Sequence, residues 1–421
     1  MAVPAETINM NVIDLDGASR LVIISGVPGG NSGGSGQFIA HLQDRITALT
    51  GNRIKLICRP ERPVFWLIVH WLRQKAYRKV VTKVIRYFFL LSQFWLSIWY
   101  VYFKRNQVFV LLHPQHLGYK LTLRLIKSRK KPPLIYLLDS SFFCIASYNH
   151  LKGENGPCLR CLEQSFNQIR INGCQPFPTL NDWSAVEFVS CLQELGKKGR
   201  VRIAAQNQHQ AALAQRHFAF ADLPPVIGLW TQDWDGVFFR KNCTQLQCSA
   251  DSQCSYAWDV LFHGHCLSAK GADWLARVAE KCPELNFMFP FARPEWFKAT
   301  QNCTFLPLTW EDGLRDEIVK SKFVFVPSLW SAPIEGSLVK SIACANAVAV
   351  VNNSTSFSDE LPSGLVFKLS EDPATAAVEL RRASERDWRP DCNVKTKWLA
   401  EFCEKRNSFV PDLIVSALGV K

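Results

Sequence analysis

The chain has 421 residues, 48% hydrophobic and 20% charged, which excludes a disordered or fibrous protein and is too much for one ordinary core, so two domains are expected. Its net charge of +13 is local: fifteen Lys and Arg fall between Arg62 and Leu138 without a single Asp or Glu, leaving about −2 for the rest. So one-sided a field implies an anionic partner, whether lipid, phosphorylated acceptor or nucleic acid. Glu6, Asp14 and Asp16 stand where a signal peptide is uncharged, and a cytoplasmic protein is expected. The fifteen cysteines are scattered and odd in number, which excludes a secreted disulfide framework.

In chain order, residues 20–26 (RLVIISG) read as a first buried strand. It runs into VPGGNSGGSG and then an amphipathic helix over 37–49. Strand, glycine-rich loop and helix make a cradle in which backbone N–H groups approach an anion, here at Gly33, Gly34, Ser35 and Gly36. The loop lacks the Lys-Ser/Thr of a P-loop and the third glycine of a dinucleotide fingerprint. Residues 53–57 give a second strand.

Over 66–86, Lys75, Arg78, Lys79, Lys83 and Arg86 share one helical face, with Leu72, Ala76, Val80, Val81, Val84 and Ile85 on the other. Residues 87–103 follow as seventeen uncharged residues with nine aromatics, the lower edge of a spanning length. Both flanks are positive, so charge asymmetry gives no orientation for crossing, and the next strand, 108–112, must return to the same sheet. A helix lying in the interface of an anionic membrane over about 66–105 is therefore expected. The alternative is a basic surface helix followed by a buried core helix. The aromatics form an apolar run and are not interleaved as stacking platforms, so no nucleic-acid partner is expected.

His113 and His116 follow the strand ending at Leu112, and Asp139 ends another strand over 134–138. Cys144, Cys158, Cys161 and Cys174 form C-x13-C-x2-C-x12-C, a thiol set that suits a structural zinc. Strands over 201–206 and 225–230 complete a six-strand α/β count. Residues 233–256 read as a linker. The triplet Asp233-Trp234-Asp235 within it could hold a divalent metal, but a three-residue match is common by chance.

A second α/β unit begins with a strand over 258–263, followed by Gly264-His265, Lys270-Gly271 and a helix through Glu280. Short strands follow at 287–290 and 304–307, with a helix at 314–320. Residues 323–326 form a buried strand broken by Pro327-Ser328. Glu335 and Gly336 then open a helix with Leu338, Val339, Ile342 and Ala343 at helical spacing, before a strand over 347–351. This βαβ unit places one carboxylate at a helix N-terminus, beyond the carboxyl end of its strand. Helices are expected at 394–403 and 411–418.

Pro327-Ser328-Leu329-Trp330, Glu335-Gly336 and Ser341-Ile342-Ala343-Cys344 resemble the donor-site signature of family 4 nucleotide-sugar glycosyltransferases of the GT-B fold. Aligned on Ala343, the signature's second Glu falls on Lys340 and its first on Ala332, so the usual pair of glutamates is absent and Glu335 is the carboxylate left. Gly264-His265 and Lys270-Gly271 resemble the family's G-R…K-G element, with His265 at the Arg position. Asp139, Ser141–Cys144, Ser147-Tyr148-Asn149 and Cys158–Cys161 resemble a block of a bacterial subgroup with no agreed role.

The resemblance implies two Rossmann-like doubly wound domains facing a cleft. The N-terminal one, 18–232, lies on the acceptor side with 404–421 packing back on it, and 256–403 holds the donor. It implies sugar transfer from a nucleotide-diphosphate donor, with retention and without an obligatory metal, to a lipid-linked or polysaccharide acceptor. Lys270, Glu335, Asp139 and His113 are then the catalytic candidates. Gly264, His265, Lys270, Ser328, Glu335, Gly336, Ser337 and Leu338 would bind the donor, and Lys340 adds a cation there or is a solvated helix residue. The loop Gly33–Gly36 would lie over the cleft. A peripheral protein of the inner membrane face in a bacterial envelope pathway is expected. The substituted Glu and Arg positions leave one alternative, an inactive GT-B-like scaffold or binding protein.

Overall fold

The computed structural model describes residues 21–30, 34–51, 53–61, 65–114, 117–163, 165–177, 181–230, 256–298 and 300–419. Gly33, His116, the Asp233-Trp234-Asp235 triplet and nearly all of the expected linker lie outside the described residues.

The first lobe holds β1 (Leu21–Ser25), α1 (Gly34–Thr50), β2 (Lys55–Cys58), α2 (Phe65–Arg73), α3 (Tyr77–Phe103), β3 (Val108–His113), α4 (Tyr119–Lys127), β4 (Leu134–Tyr136), α5 (Asn167–Ile171), α6 (Ser184–Lys197), β5 (Arg202–Ala204) and α7 (Gln208–Phe218). The second holds β6 (Trp258–Phe262), α8 (Ala272–Lys281), β7 (Phe287–Phe289), β8 (Cys303–Phe305), α9 (Arg315–Val319), β9 (Ser321–Phe325), α10 (Gly336–Cys344), β10 (Ala347–Val351), β11 (Phe367–Leu369), α11 (Pro373–Glu385) and α12 (Cys392–Leu418). The sheets run β2-β1-β3-β4-β5 and β11-β10-β9-β6-β7-β8, and every strand pair is parallel.

Parallel strands buried on both faces need continuous apolar runs rather than alternation, and β1, β3 and β10 are buried at every position. Alternate residues feed opposite layers. Val22 and Ile24 face a core with α4, α6 and α7, while Leu21 and Ile23 face α1 and the end of α12. In the second lobe Phe323 and Phe325 meet α8 and α11, and Val324 meets α10 and the start of α12.

The structure corrects four expectations. Residues 225–230 form no strand: one isolated bridge joins Ala205 to Val226. Pro224 and Pro225 have no N–H to donate to a ladder, and Gly228 turns away at φ +75°. The two helices expected near the end are one, α12, with Pro411 inside it. Proline removes a backbone hydrogen bond, and burial of Phe409, Leu413, Ile414 and Ala417 against the first sheet offsets that loss. The same helix begins with Trp398 and Leu399 in the second lobe's core, so it crosses from one lobe to the other.

The alternative of a buried core helix over 87–103 is also overturned. In α3 only Phe94, Ile98 and Val101 are buried, and these join the core under the first sheet. Finally, no group of three or more His, Cys, Asp or Glu among the described residues is arranged to hold a metal ion. Cys144, Cys158, Cys161 and Cys174 are free thiols. Cys161 belongs to the apolar core of the first lobe, and Cys144 and Cys174 are packed against that core. Burial, and then the neighbouring thiols of the group, push the Cys144 and Cys174 thiols up and that of Cys161 up to about 11.

Candidate functional site

The strand β6 ends at Phe262, and His263 and Gly264 carry the chain to a short turn, Ser268–Lys270. Gly271 then opens α8 with φ +78°, a left-handed conformation open to glycine at little cost. A Cβ on Gly271 would stand 2.1 Å from the carbonyl oxygen of Pro327. The loop after β9 therefore lies directly on the Lys270-Gly271 turn, and Leu329 N–H donates to Ala269 O at 2.9 Å. This close approach brings Lys270 to Glu335, sixty-five positions away in sequence.

Lys270 Nζ forms an ion pair with Glu335 Oε1, with the two side chains 14% and 7% exposed. Ser328 Oγ donates to Glu335 Oε2 at 2.6 Å. Burial works to lower the Lys270 pKa, but the Glu335 carboxylate holds it above the ordinary lysine range. Glu335 is the N-cap residue of α10, yet its side chain makes no cap hydrogen bond. It turns to Lys270 and Ser328 instead, leaving the first-turn N–H groups of Gly336, Ser337 and Leu338 without a side-chain cap at the positive end of the helix dipole. The Leu338 side chain is buried in the core, which leaves its backbone N–H at the helix end.

His265, at the position where the resemblance wants Arg, is exposed. Burial of its ring and the Lys270 charge lower its pKa, against the pull of Glu335 in the other direction. Lys340 Nζ lies 4.7 Å from the centre of the Trp310 ring, and Trp310 stacks on His263 at 5.7 Å with the planes 8° apart. His263 is buried, near Ser341 Oγ at 2.8 Å, and burial with the Lys340 and His265 charges pulls its pKa down to about 3. Lys340 is thus held over an aromatic ring rather than solvated alone. Neither Trp310 nor His263 was singled out from sequence.

On the first lobe, His113 at the end of β3 and Asp139 beyond β4 meet, with His113 Nε2 3.1 Å from Asp139 Oδ2. Ser141 N–H donates to Asp139 Oδ1 at 2.9 Å. Burial raises the Asp139 pKa, but His113 and the Ser141 hydrogen bonds outweigh it and leave the carboxyl below its usual range. Gly34, Ser35 and Gly36 open α1 at the carboxyl end of β1. Gly36 packs on Gly30, where a Cβ would stand 2.8 Å from the Gly30 oxygen, so its tight contact is within the loop and not with the Lys270–Glu335 pair.

Tyr148 joins the halves. Its phenol lies within electrostatic range of Lys270, Asp139 and Glu335, and its ring meets Trp330 edge-on at 4.7 Å. Beside it Asn149 Nδ2 donates to Ser331 Oγ at 2.9 Å, and Ser331 N–H donates to Asn149 Oδ1 at 3.0 Å. A second contact between lobes lies at α7, where Glu360 Oε1 accepts from Asn207 Nδ2 at 2.8 Å and His209 N–H at 2.6 Å.

Two parallel sheets, their carboxyl ends meeting at one polar site and a last helix bridging the lobes, describe a known architecture. HepE of Anabaena, solved with UDP, superposes with a TM-score of 0.55 at 12% identity over 93% of this chain and 99% of its own. Sucrose-phosphate synthase of Thermosynechococcus elongatus gives 0.56 at 11% identity over 94% and 99%. Trehalose 6-phosphate synthase of Burkholderia multivorans gives 0.54 at 11% over 96% and 100%. The chain has the GT-B fold. No protein-family model matches the sequence, and no curated protein matches it either. In this GT-B chain the βαβ unit around Glu335 and the Lys270 turn occupy the junction of the lobes.

Proposed function

We propose that this GT-B chain is a glycosyltransferase that moves a sugar from a nucleotide-diphosphate donor to a lipid-linked or polysaccharide acceptor, with retention, on the cytoplasmic face of a bacterial membrane. The observation that carries the reading is the buried Lys270–Glu335–Ser328 cluster at the N-terminus of α10. Loss of the nucleotide leaves negative charge on a diphosphate, and a preorganised cation with uncapped helix N–H groups stabilises charge that develops there. Glu335 can accept two hydroxyl hydrogen bonds from ribose or sugar. Across the cleft the ionised Asp139, oriented by His113 and Ser141, is the group to meet an acceptor hydroxyl. The UDP and UDP-glucose bound by HepE support a nucleotide-sugar donor.

Thermal shift against UDP-, GDP- and ADP-sugars tests this. A ligand at a hundred times its Kd adds about 2.7 kcal/mol of stability, so one nucleotide class should raise Tm by several degrees. Flat melts with all three would leave the scaffold reading in its place.

The exposed face of α3 supports the lipid-linked acceptor. Its inward stripe is tied into the first lobe's core, so the helix lies along the surface rather than across a bilayer. The opposite stripe is bare: Ile85, Phe88, Leu96, Trp99 and Phe103 are 63%, 60%, 69%, 56% and 70% exposed. Arg78, Lys79, Lys83 and Arg86 are exposed on its flank. An aromatic face beside a basic flank fits the interface of an anionic bilayer. Vesicles containing phosphatidylglycerol should co-sediment the protein, with pure phosphatidylcholine much weaker. Replacing Lys79 and Lys83 by Gln should cost about thirtyfold in vesicle affinity, at roughly 1 kcal/mol per basic residue. Equal binding to both vesicle types would remove the membrane from the proposal.

A further inference from the structure

The Ser147-Tyr148-Asn149 segment belongs to a block without an assigned role, yet it makes the main contact between the lobes beside Lys270. Asn149 is fully buried, and its amide is spent on fixing the segment. It accepts from Ser140 Oγ and Ser331 N–H, and donates to Ser331 Oγ and to Cys158 O. One residue on, His150 Nε2 lies 3.1 Å from Ser268 Oγ. Ser147 adopts φ +63° to make the turn. The two residues that follow Tyr148 are thus fastened to the two loops of the second lobe that carry Lys270 and Ser328, while Ser147 O accepts from Ser140 N–H within the first lobe.

Beside these fastenings the ring of Tyr148 stands 5.5 Å from Lys270 Nζ, and that of Trp330 stands 4.9 Å from it. An ammonium has three N–H groups. Glu335 takes one, while the rings hold the charge through their faces and offer no conventional acceptor. The cation is therefore fixed, largely out of water, and keeps hydrogen-bonding capacity for an anionic oxygen. Trp330 and Lys270 come from the same lobe; Tyr148 comes from the other.

We propose that Tyr148 is a positioning residue for Lys270, completing with Trp330 an aromatic clamp around the ammonium only when the lobes are together, so that cleft closure sets the affinity for the donor's diphosphate. The proposal rests on Lys270 being the diphosphate-binding group of the proposed reaction. It adds that half of that group's environment is supplied by the acceptor-side lobe. A bound diphosphate is then gripped most strongly in the closed, water-poor form, where Coulomb attraction is least screened.

The test uses the full chain as wild type, Tyr148→Phe and Tyr148→Leu, titrated with UDP, GDP and ADP and assayed with the matching sugar nucleotide. Tyr148→Leu should weaken diphosphate binding and raise the donor KM about tenfold, the size of a desolvated cation–π contact, with a smaller change in kcat. Tyr148→Phe keeps the ring and should stay within about twofold of wild type on the same reasoning. A merely structural tyrosine would lower Tm without this KM-against-kcat split and without rescue by Phe. Should the leucine variant fail to fold, Tyr148→Met keeps bulk without a ring and should show the same loss. Wild-type affinity in both ringless variants, or a phenylalanine variant as weak as leucine, would overturn the role of the ring. A wild type that binds none of the three diphosphates would count against the glycosyltransferase reading itself, and so is distinguishable.

Discussion

Lys270→Ala is expected to lower kcat/KM for the sugar nucleotide by about 10²–10³-fold, the usual cost of removing one preorganised group from the site of developing negative charge. The effect should be this large because Lys270 is the cation paired with Glu335 at the start of α10, while Lys340 is engaged with Trp310. The same substitution should destabilise the fold. Glu335 is 7% exposed, and without its partner it becomes a buried charge supported by Ser328 alone, a situation that typically costs about 3–5 kcal/mol. Adding Glu335→Gln to Lys270→Ala removes that stranded charge and should restore much of the lost Tm while leaving activity low. Kinetics and melts on the four forms of this cycle check both halves. Equal kcat/KM in wild type and Lys270→Ala would exclude Lys270 from the chemistry.

Gly271→Ala should be the most damaging small substitution in the second lobe. The residue has φ +78°, and the new methyl would stand 2.1 Å from the backbone oxygen of Pro327. Backbone strain and overpacking at a rigid contact together cost about 4 kcal/mol. Relief can come only by moving the 327–331 loop, which carries Ser328 and Trp330 away from Lys270, so activity should fall even in the molecules that stay folded. Gly336→Ala is the contrast, since nothing lies within 4 Å of its added Cβ and its stability should be nearly unchanged. Denaturant melts of the two variants side by side check this. A Gly271→Ala protein as stable as wild type would mean the two loops are not pressed together.

How far the sequence carries depends on whether the cause is local. The strand at 347–351 and the helix opening after Glu335 are set by short-range periodicity and are found there. The long crossing helix was split in sequence because proline is a local stop signal, whereas its continuity comes from cores in both lobes. The strand assigned to 225–230 failed for the opposite reason: apolar residues are present, but paired prolines deny them a ladder. Lys270 and Glu335 were legible as residue types on the right loops. Their pairing depends on Gly271 accepting Pro327 at contact distance, which a linear pattern does not display. Tyr148 and Trp330 were visible only as letters in two motifs 182 positions apart, and the contact between them is tertiary. The thiol cluster was over-read because cysteine spacing cannot distinguish a ligand set from small buried hydrophobes.

In the proposed reaction one sugar nucleotide sits between the lobes with its diphosphate on Lys270. A structure of the protein with its donor nucleotide measures this directly. A diphosphate oxygen is expected within hydrogen-bond distance of Lys270 Nζ and near the first-turn N–H groups of α10, with Glu335 turned to a ribose or sugar hydroxyl. A nucleotide bound away from this junction, with the Lys270–Glu335 pair untouched, would contradict it.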